Sequence, residues 1–454
     1  MNFAAINLSY LILQGFELPS IEFPYFGTRG LVGVVMLIHI FFATLFVGYA
    51  VGSPLFQIWS VRTGNPRFER LAHSMARFNV LTFSTGATFA VLFLVLLVGF
   101  YPRVTAALFT HFFWFFPVLA MTAMLLTVWL FYVHYYRAKN RAHPINIAAG
   151  LAAAFFILLW QVILSGIDQF MLTGGEVAGQ AVQAGTATTS PLVALSNLFS
   201  ATSIPMDLHR TFGNLSWPAF GIAAWAGFMY TRSKSPENKA FYDWAGSMGV
   251  IWGTVFLLLQ PFAGFAIAYF MQSAYRPEGL PGAASPYERL TGSETGAGSF
   301  TSNLLYVNLV MVVGLFVLSN AAMYMGAGRH PDRAGRRPIQ LYGLVAALAG
   351  LYSISPLAQF PFLHMRYIMM LIMVLATVGA LVAYIRSRGR FSYGNAGRGY
   401  LAVLLALGAL AAVVTLSMGW MESNSRVPYT IYGNPEYQVE AEQPVTPDEL
   451  QKSE

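Results

Sequence analysis

The sequence predicts an all-α, polytopic membrane protein of about ten spanning helices, and three observations carry that expectation. Hydrophobic residues make up 56% of the 454-residue chain and charged residues 10%, with a mean hydropathy of +0.56, too little charge to coat a soluble protein of this size. Apolar runs long enough to cross a bilayer recur along the chain. Basic residues gather in every second connection between those runs, as positive-inside sorting requires.

Taken in order, the runs lie at about 30–60, 74–100, 104–136, 145–172, 207–231, 241–272, 302–326, 339–358, 361–386 and 397–421. Residues 1–29 precede them; the stretch 2–16 is weakly apolar, lacks a basic flank and an Ala-x-Ala cleavage site, and reads as an interfacial segment rather than a signal peptide. The run at 339–358 is the weakest, interrupted by Gly350, Ser353, Ser355 and Pro356. The odd connections, from Arg62 to Arg398, hold 18 of the 26 Lys and Arg residues, so they are expected to be cytoplasmic and both termini outside. Two outer connections are long: 173–206, rich in Gly, Ala and Thr, and 273–301, rich in Gly, Pro and Ser. Residues 1–432 read as one membrane domain and 433–454 as an acidic outer tail. No internal repeat is visible, which argues against an inverted-repeat transporter.

Composition also excludes chemistries. The chain has no cysteine, so disulfides, thiolate-bound clusters and covalently attached c-type haem are ruled out. Without a His-His pair it cannot build the copper site of a haem–copper oxidase, and no helix carries the paired histidines of a di-haem b bundle. The net charge of +7 resides in the loops and reports membrane orientation, with no call for nucleic acid.

What remains is a set of ligand-type side chains at one depth. His39, His111, His209 and His364 fall in the outer halves of their runs, with Met365, Met369 and Met370 beside the last. The final run ends in Gly419-Trp420-Met421-Glu422-Ser423-Asn424-Ser425-Arg426, placing a carboxylate and a guanidinium about a turn apart. Imidazole, thioether and carboxylate can all ligate haem iron, and ionisable groups at membrane depth are costly enough to mark a site. Each histidine could equally pack and hydrogen-bond a neighbouring backbone. Arg210 and Arg366 each follow a candidate ligand closely, where a guanidinium either snorkels to the interface or neutralises a buried propionate.

These residues resemble the large subunit of cytochrome bd-type oxidases. The likeness rests on His39 in "LIHIFFATLFVG", Thr85 and Gly86 in "FSTGATF", and Trp160, Gly166 and Gln169 in "LLWQVILSGIDQ". It continues with His209, with "FLHMRYIMM" around Arg366, and with the closing "GWMESNSRVPYTIYG". The resemblance implies a low-spin haem b held by His209 and Met369, with His364 or Met365 as alternatives for the second ligand. It implies two further haems, with His39 and Glu422 as axial ligands of the oxygen-reducing pair. Arg210, Arg366 and Arg426 would contact propionates, and Trp160, Thr85 and Gln169 would line the cofactors. The set would be two or three haems b, with haem d as the alternative at the oxygen site.

Departures from the family's pattern shape the expected donor. Ile368 stands where the family has its Met, and Glu422 lies one position further from Arg426 than the family's spacing. Residues 104–136 contain no acid, whereas the family's third helix carries glutamates for protons, so either another route, involving Asp168 or water, or reduced proton delivery is expected. The family's long charged quinol loop after its sixth helix is replaced by a shorter loop and two extra spans. The expectation is therefore a divergent, inner-membrane terminal-oxidase subunit that passes electrons to O₂ from a periplasmic cytochrome c or other redox subunit rather than quinol. It would sit in lipid beside a second membrane subunit. The competing expectation is a b-haem electron-transfer subunit of a larger respiratory complex, without oxygen chemistry.

Overall fold

In the computed structural model, the described residues are 27–137, 143–173, 190–200, 202–274, 286–291, 300–360, 364–425 and 430–431. The interfacial N-terminal segment, the acidic tail and Arg426 therefore lie outside the described residues, apart from the few that open the first helix.

The described residues form thirteen α-helices: α1 (Gly27–Thr63), α2 (Pro66–Phe100), α3 (Pro102–His111), α4 (Met121–Tyr132), α5 (Pro144–Thr173), α6 (Pro191–Leu198), α7 (Ser203–Arg232), α8 (Pro236–Ala274), α9 (Pro286–Thr291), α10 (Phe300–Gly326), α11 (Arg333–Ile354), α12 (Met365–Ser387) and α13 (Arg398–Ser425). No strand occurs among the described residues. Helix starts follow local chemistry. Proline occupies the first position of α2, α3, α5, α6, α8 and α9, where its missing N–H costs nothing. The α1–α2 turn is made by Gly64 at φ +64° and by Asn65, whose side chain accepts from the Arg67 N–H at 3.0 Å.

The third apolar run departs from the single helix its hydropathy suggests. It is α3, a break at Phe112–Phe113, a π-helical turn over Trp114–Ala120 containing Pro117, α4, and a second π turn over Val133–Arg137. Proline removes a ladder donor, and a wider turn accommodates the mismatch. Near its end His134 is clamped: one ring nitrogen lies 2.9 Å from Ser53 Oγ and the other 2.8 Å from the Asn146 carbonyl.

Among the described residues eight helical rods are long and apolar enough to cross a bilayer on composition alone, and of the expected ten α7 and α11 fall short. Both nonetheless run the depth of the bundle. α7 lies antiparallel to α13, with Arg210 against Glu422 at one end and Tyr230 against Gly394 and Ala396 at the other. α11 tracks α10 and α12, with Gly343 by Asn320 and Gly350 by Met373. α7 is polar because it is central: it packs on α1, α5, α8 and α13 and so meets little lipid. Even crossing number is visible directly, because Arg29 at the start of α1 donates to Asn424 at the end of α13 at 2.9 Å.

Helix contacts in lipid depend on close packing rather than on exclusion of water. A Cβ on Gly48 of α1 would sit 2.3 Å from the Asn214 carbonyl of α7, and one on Gly249 of α8 would sit 2.6 Å from the Ala219 carbonyl. The main core draws on α1, α2, α7, α8 and α10–α13, with Tyr384, Phe316 and Phe220 fully enclosed. A smaller core joins α3, α5 and α6 to Ile431.

Candidate functional site

The closing segment of α13 is where the sequence-selected residues meet. Glu422 Oε1 accepts from Arg210 Nη2 of α7 at 2.6 Å and from Gln169 Nε2 of α5 at 3.2 Å. Arg210 also pairs with Asp168 of α5 and donates to Ser165 Oγ at 3.0 Å. Asp207, one turn before Arg210, is the single carboxylate of α7, and its Oδ1 is buried without a hydrogen-bond partner. Side-chain exposure of 24–33% across the Arg210, Asp168 and Glu422 trio leaves the node half-buried. Asp207 and Ser165 escaped the sequence reading. An acid three residues before an arginine inside an apolar run was the available signal.

His39 lies at the depth of Glu422 on the neighbouring helix. Leu37 and Ile40 would touch a Cβ on Gly419 at 3.2 and 3.5 Å, and Met36 lies 3.8 Å from Ser423 Oγ. His39 Nδ1 is 3.0 Å from the Gly86 carbonyl of α2. A carbonyl only accepts, so Nδ1 carries the proton and Nε2 keeps its lone pair. Thr85 is half-buried on the same turn. Gly86 matters sterically, since a Cβ there would meet Phe42 at 3.1 Å.

His209 faces the other way from Arg210, toward α8, where a Cβ on Gly264 would lie 3.7 Å from its ring. Its Nδ1 is buried without a partner, while its backbone carbonyl accepts from Gln260 at 3.0 Å. Met369 of α12 packs at the edge of the main core, and Arg366, one turn earlier, has a buried Nε without a partner. Trp160 Nε1 in α5 is likewise buried and unpartnered. His364 is exposed at the start of α12. His111 serves packing: Asn197 lies 2.8 Å from its Nε2 and Phe170 stacks on its ring at 5.1 Å. Direct contact thus joins Glu422, Gln169, Arg210 and Asp168, whereas His39, His209, Met369, Arg366, Trp160 and Thr85 make no hydrogen bond to that node among the described residues.

The residues present fit a porphyrin better than a bare ion. Among the described residues no group of three or more His, Asp or Glu side chains converges to hold a metal. An iron porphyrin instead takes single axial ligands from separate helices, together with cations for its propionates. His39 Nε2 has an oriented lone pair, and the buried, unpartnered polar atoms of His209, Arg366 and Trp160 stand ready for a group from outside the chain.

No family model matches the sequence, and no curated protein matches it. Among solved structures, the chain is similar to one described as the structure of bd oxidase from Geobacillus thermodenitrificans, with 13% identity, a TM-score of 0.50, and cover of 87% of this chain and 96% of that one. That likeness is one of fold: the chain is a multi-pass, all-α membrane protein whose fold is similar to that of this bd oxidase structure.

Proposed function

We propose that this chain is a haem-carrying subunit of a bd-like terminal oxidase, taking electrons at its outer face and passing them to O₂ in the inner membrane. The observation that carries the reading is the docking of α13 against α1, α5 and α7, which brings Glu422 to the depth of His39 and into contact with Gln169 and Arg210. Those residues come from four helices far apart in the sequence, and they are the ones its resemblance singles out. Shared architecture supports the assignment only by analogy.

Haem, when bound, supplies one-electron redox chemistry and an open coordination position for O₂. The chain's residues orient and hold. His39, its tautomer set by the Gly86 carbonyl, and Glu422, steadied by Arg210 and Gln169, would hold the oxygen-side pair. His209 and Met369 would hold the low-spin haem b, with His364 and Met365 as alternatives to Met369. Arg366, Arg210 and Arg426 would neutralise propionates, while Trp160, Thr85 and Gln169 would line the cofactors. The absent quinol loop favours a periplasmic cytochrome c or another redox subunit as donor, and a second membrane subunit as partner. One observation favours a relay without oxygen chemistry: Glu422 is already engaged by a guanidinium.

A pyridine haemochrome spectrum of the purified complex, with CO binding after reduction, tests both readings. His209→Ala is expected to abolish the low-spin spectrum while leaving CO binding largely intact, and Met369→Leu to turn that haem high-spin. No Soret band would end the proposal. If His364→Ala produces the high-spin shift instead, the second ligand is reassigned, and haem without CO binding selects the relay.

A further inference from the structure

We infer that the arginine-rich end of the bundle carries a binding site for a phosphate group, formed where the α10–α11 and α12–α13 connections meet. A cavity of about 400 Å³ lies there, lined in part by Arg329, His330, Arg336, Asn395, Gly397 and Tyr400. Its volume is that of a small-molecule cleft, and no Asp or Glu is among the described residues that line it.

The lining is built to receive negative charge. Arg329 is committed to the wall: it pairs with Asp243 of α8, and its guanidinium lies 4.3 Å over the Tyr400 ring. Arg336 is different. Its Nε donates to the His330 carbonyl at 2.5 Å and its Nη2 to the Pro331 carbonyl at 3.4 Å, so among the described residues its charge meets backbone oxygens and no carboxylate. One helix N-terminus reaches the same rim: α13 begins at Arg398 after Gly397, which lines the cavity and has no side chain to cap with, whereas α11 carries the Asp332 carboxylate at its own start. First-turn N–H groups and the helix dipole both favour an anion at such a place. The Tyr400 hydroxyl, buried without a hydrogen-bond partner, is turned toward α8, where a Cβ on Gly246 would lie 3.8 Å from it, so Tyr400 serves as wall. One enclosed side chain on the lining adds unused capacity. His330 is 1% exposed and engages the backbone of Asp332 only through Nδ1.

A tetrahedral phosphate oxyanion matches that donor set of a guanidinium fork, backbone N–H groups and a ring N–H. It could arrive as the headgroup of an anionic lipid or as a free phosphate. Basic pockets between helix ends at a membrane surface suit the former. The site is remote from the node at Glu422, and its existence does not depend on the redox reading.

Purified, delipidated full-length protein would be titrated in detergent with phosphatidylglycerol, phosphatidylcholine and inorganic phosphate, following bound lipid by native mass spectrometry and the thermal unfolding midpoint. Phosphatidylglycerol is expected to bind and raise the midpoint, and phosphatidylcholine not to. Arg336→Gln should weaken binding at least tenfold, whereas Arg390→Gln, an exposed arginine of the same end that does not line the cavity, should not. Gly397→Asp separates binding from folding. A Cβ there meets nothing within 4 Å, and Asp would cap α13, so the midpoint without ligand should hold while anion binding is lost. Binding of inorganic phosphate as tight as that of the lipid would uphold the site and name a soluble ligand. The inference falls if neither phosphate binds, or if Arg390→Gln weakens binding as much as Arg336→Gln.

Discussion

Two arginine–carboxylate nodes sit at opposite ends of this bundle, and they differ in how completely they are satisfied. At the arginine-rich end, Arg329 and Asp243 are almost wholly buried, with side-chain exposures of 5% and 0%. Every direction is occupied. Arg329 donates to Asp243, to the Gly326 carbonyl at 2.9 Å and to Tyr384 at 2.5 Å, and the second Asp243 oxygen accepts from the Gly394 N–H at 2.9 Å. At the outer end, Arg210 faces Asp168 and Glu422 with about a quarter to a third of each side chain accessible, and Asp207, His209 and Arg366 hold buried polar atoms without partners. A closed network fixes helices, whereas an open one has capacity for a ligand. The first joins α8, α10, α12 and the α12–α13 connection as a structural clasp; the second is where the cofactor reading places its chemistry.

Three substitutions would break or sharpen that contrast. Asp243→Ala should have the largest effect, about 3–5 kcal/mol of lost stability, because it strands a buried guanidinium. Chemical unfolding in detergent would read it, and a loss below about 1 kcal/mol would remove the clasp. Asp168→Ala at the half-exposed node should cost less, about 1–2 kcal/mol, since Arg210 keeps Glu422 and Ser165. If the node holds a cofactor, the same variant should disturb the visible spectrum, which Asp243→Ala, once refolded or low-temperature purified, should not. Thr85→Ala should change stability by no more than about 0.5 kcal/mol, for its side chain is only half-buried; a larger loss would mean that Thr85 belongs to a network.

Much of the architecture was legible in the chain because lipid imposes a strong rule: each crossing needs a long apolar run, and arginines mark alternate ends. Apolarity alone misses a depth-spanning helix that avoids lipid, whereas the alternation of basic connections marked the run at 207–231 as a crossing. α7 carries Asp207, His209 and Arg210 and is apolar in too narrow a stripe, yet it crosses because neighbours enclose it. Within the site, Glu422, Gln169 and Arg210 were selected as residues, but not as partners, since nothing in spacing tells that positions 169, 210 and 422 share a hydrogen-bonded node. Arg329 was read as one more loop charge. Its burial depends on Asp243 and Tyr384, which are 86 and 55 residues away, so local pattern could not reveal it.

The π turns in the third rod have a mechanical corollary. An α-helix advances about 100° per residue, so each surplus residue wound into a wide turn resets the azimuth of everything that follows. Excising one residue from Trp114–Ala120 would barely shorten that rod, but it would swing the later part through roughly a quarter-circle. His134 would leave its clamp between Ser53 and Asn146, and the aromatic stripe turned to lipid would rotate toward α5. The irregular turn works as a phase adjuster, tuning one helix's orientation independently of its length.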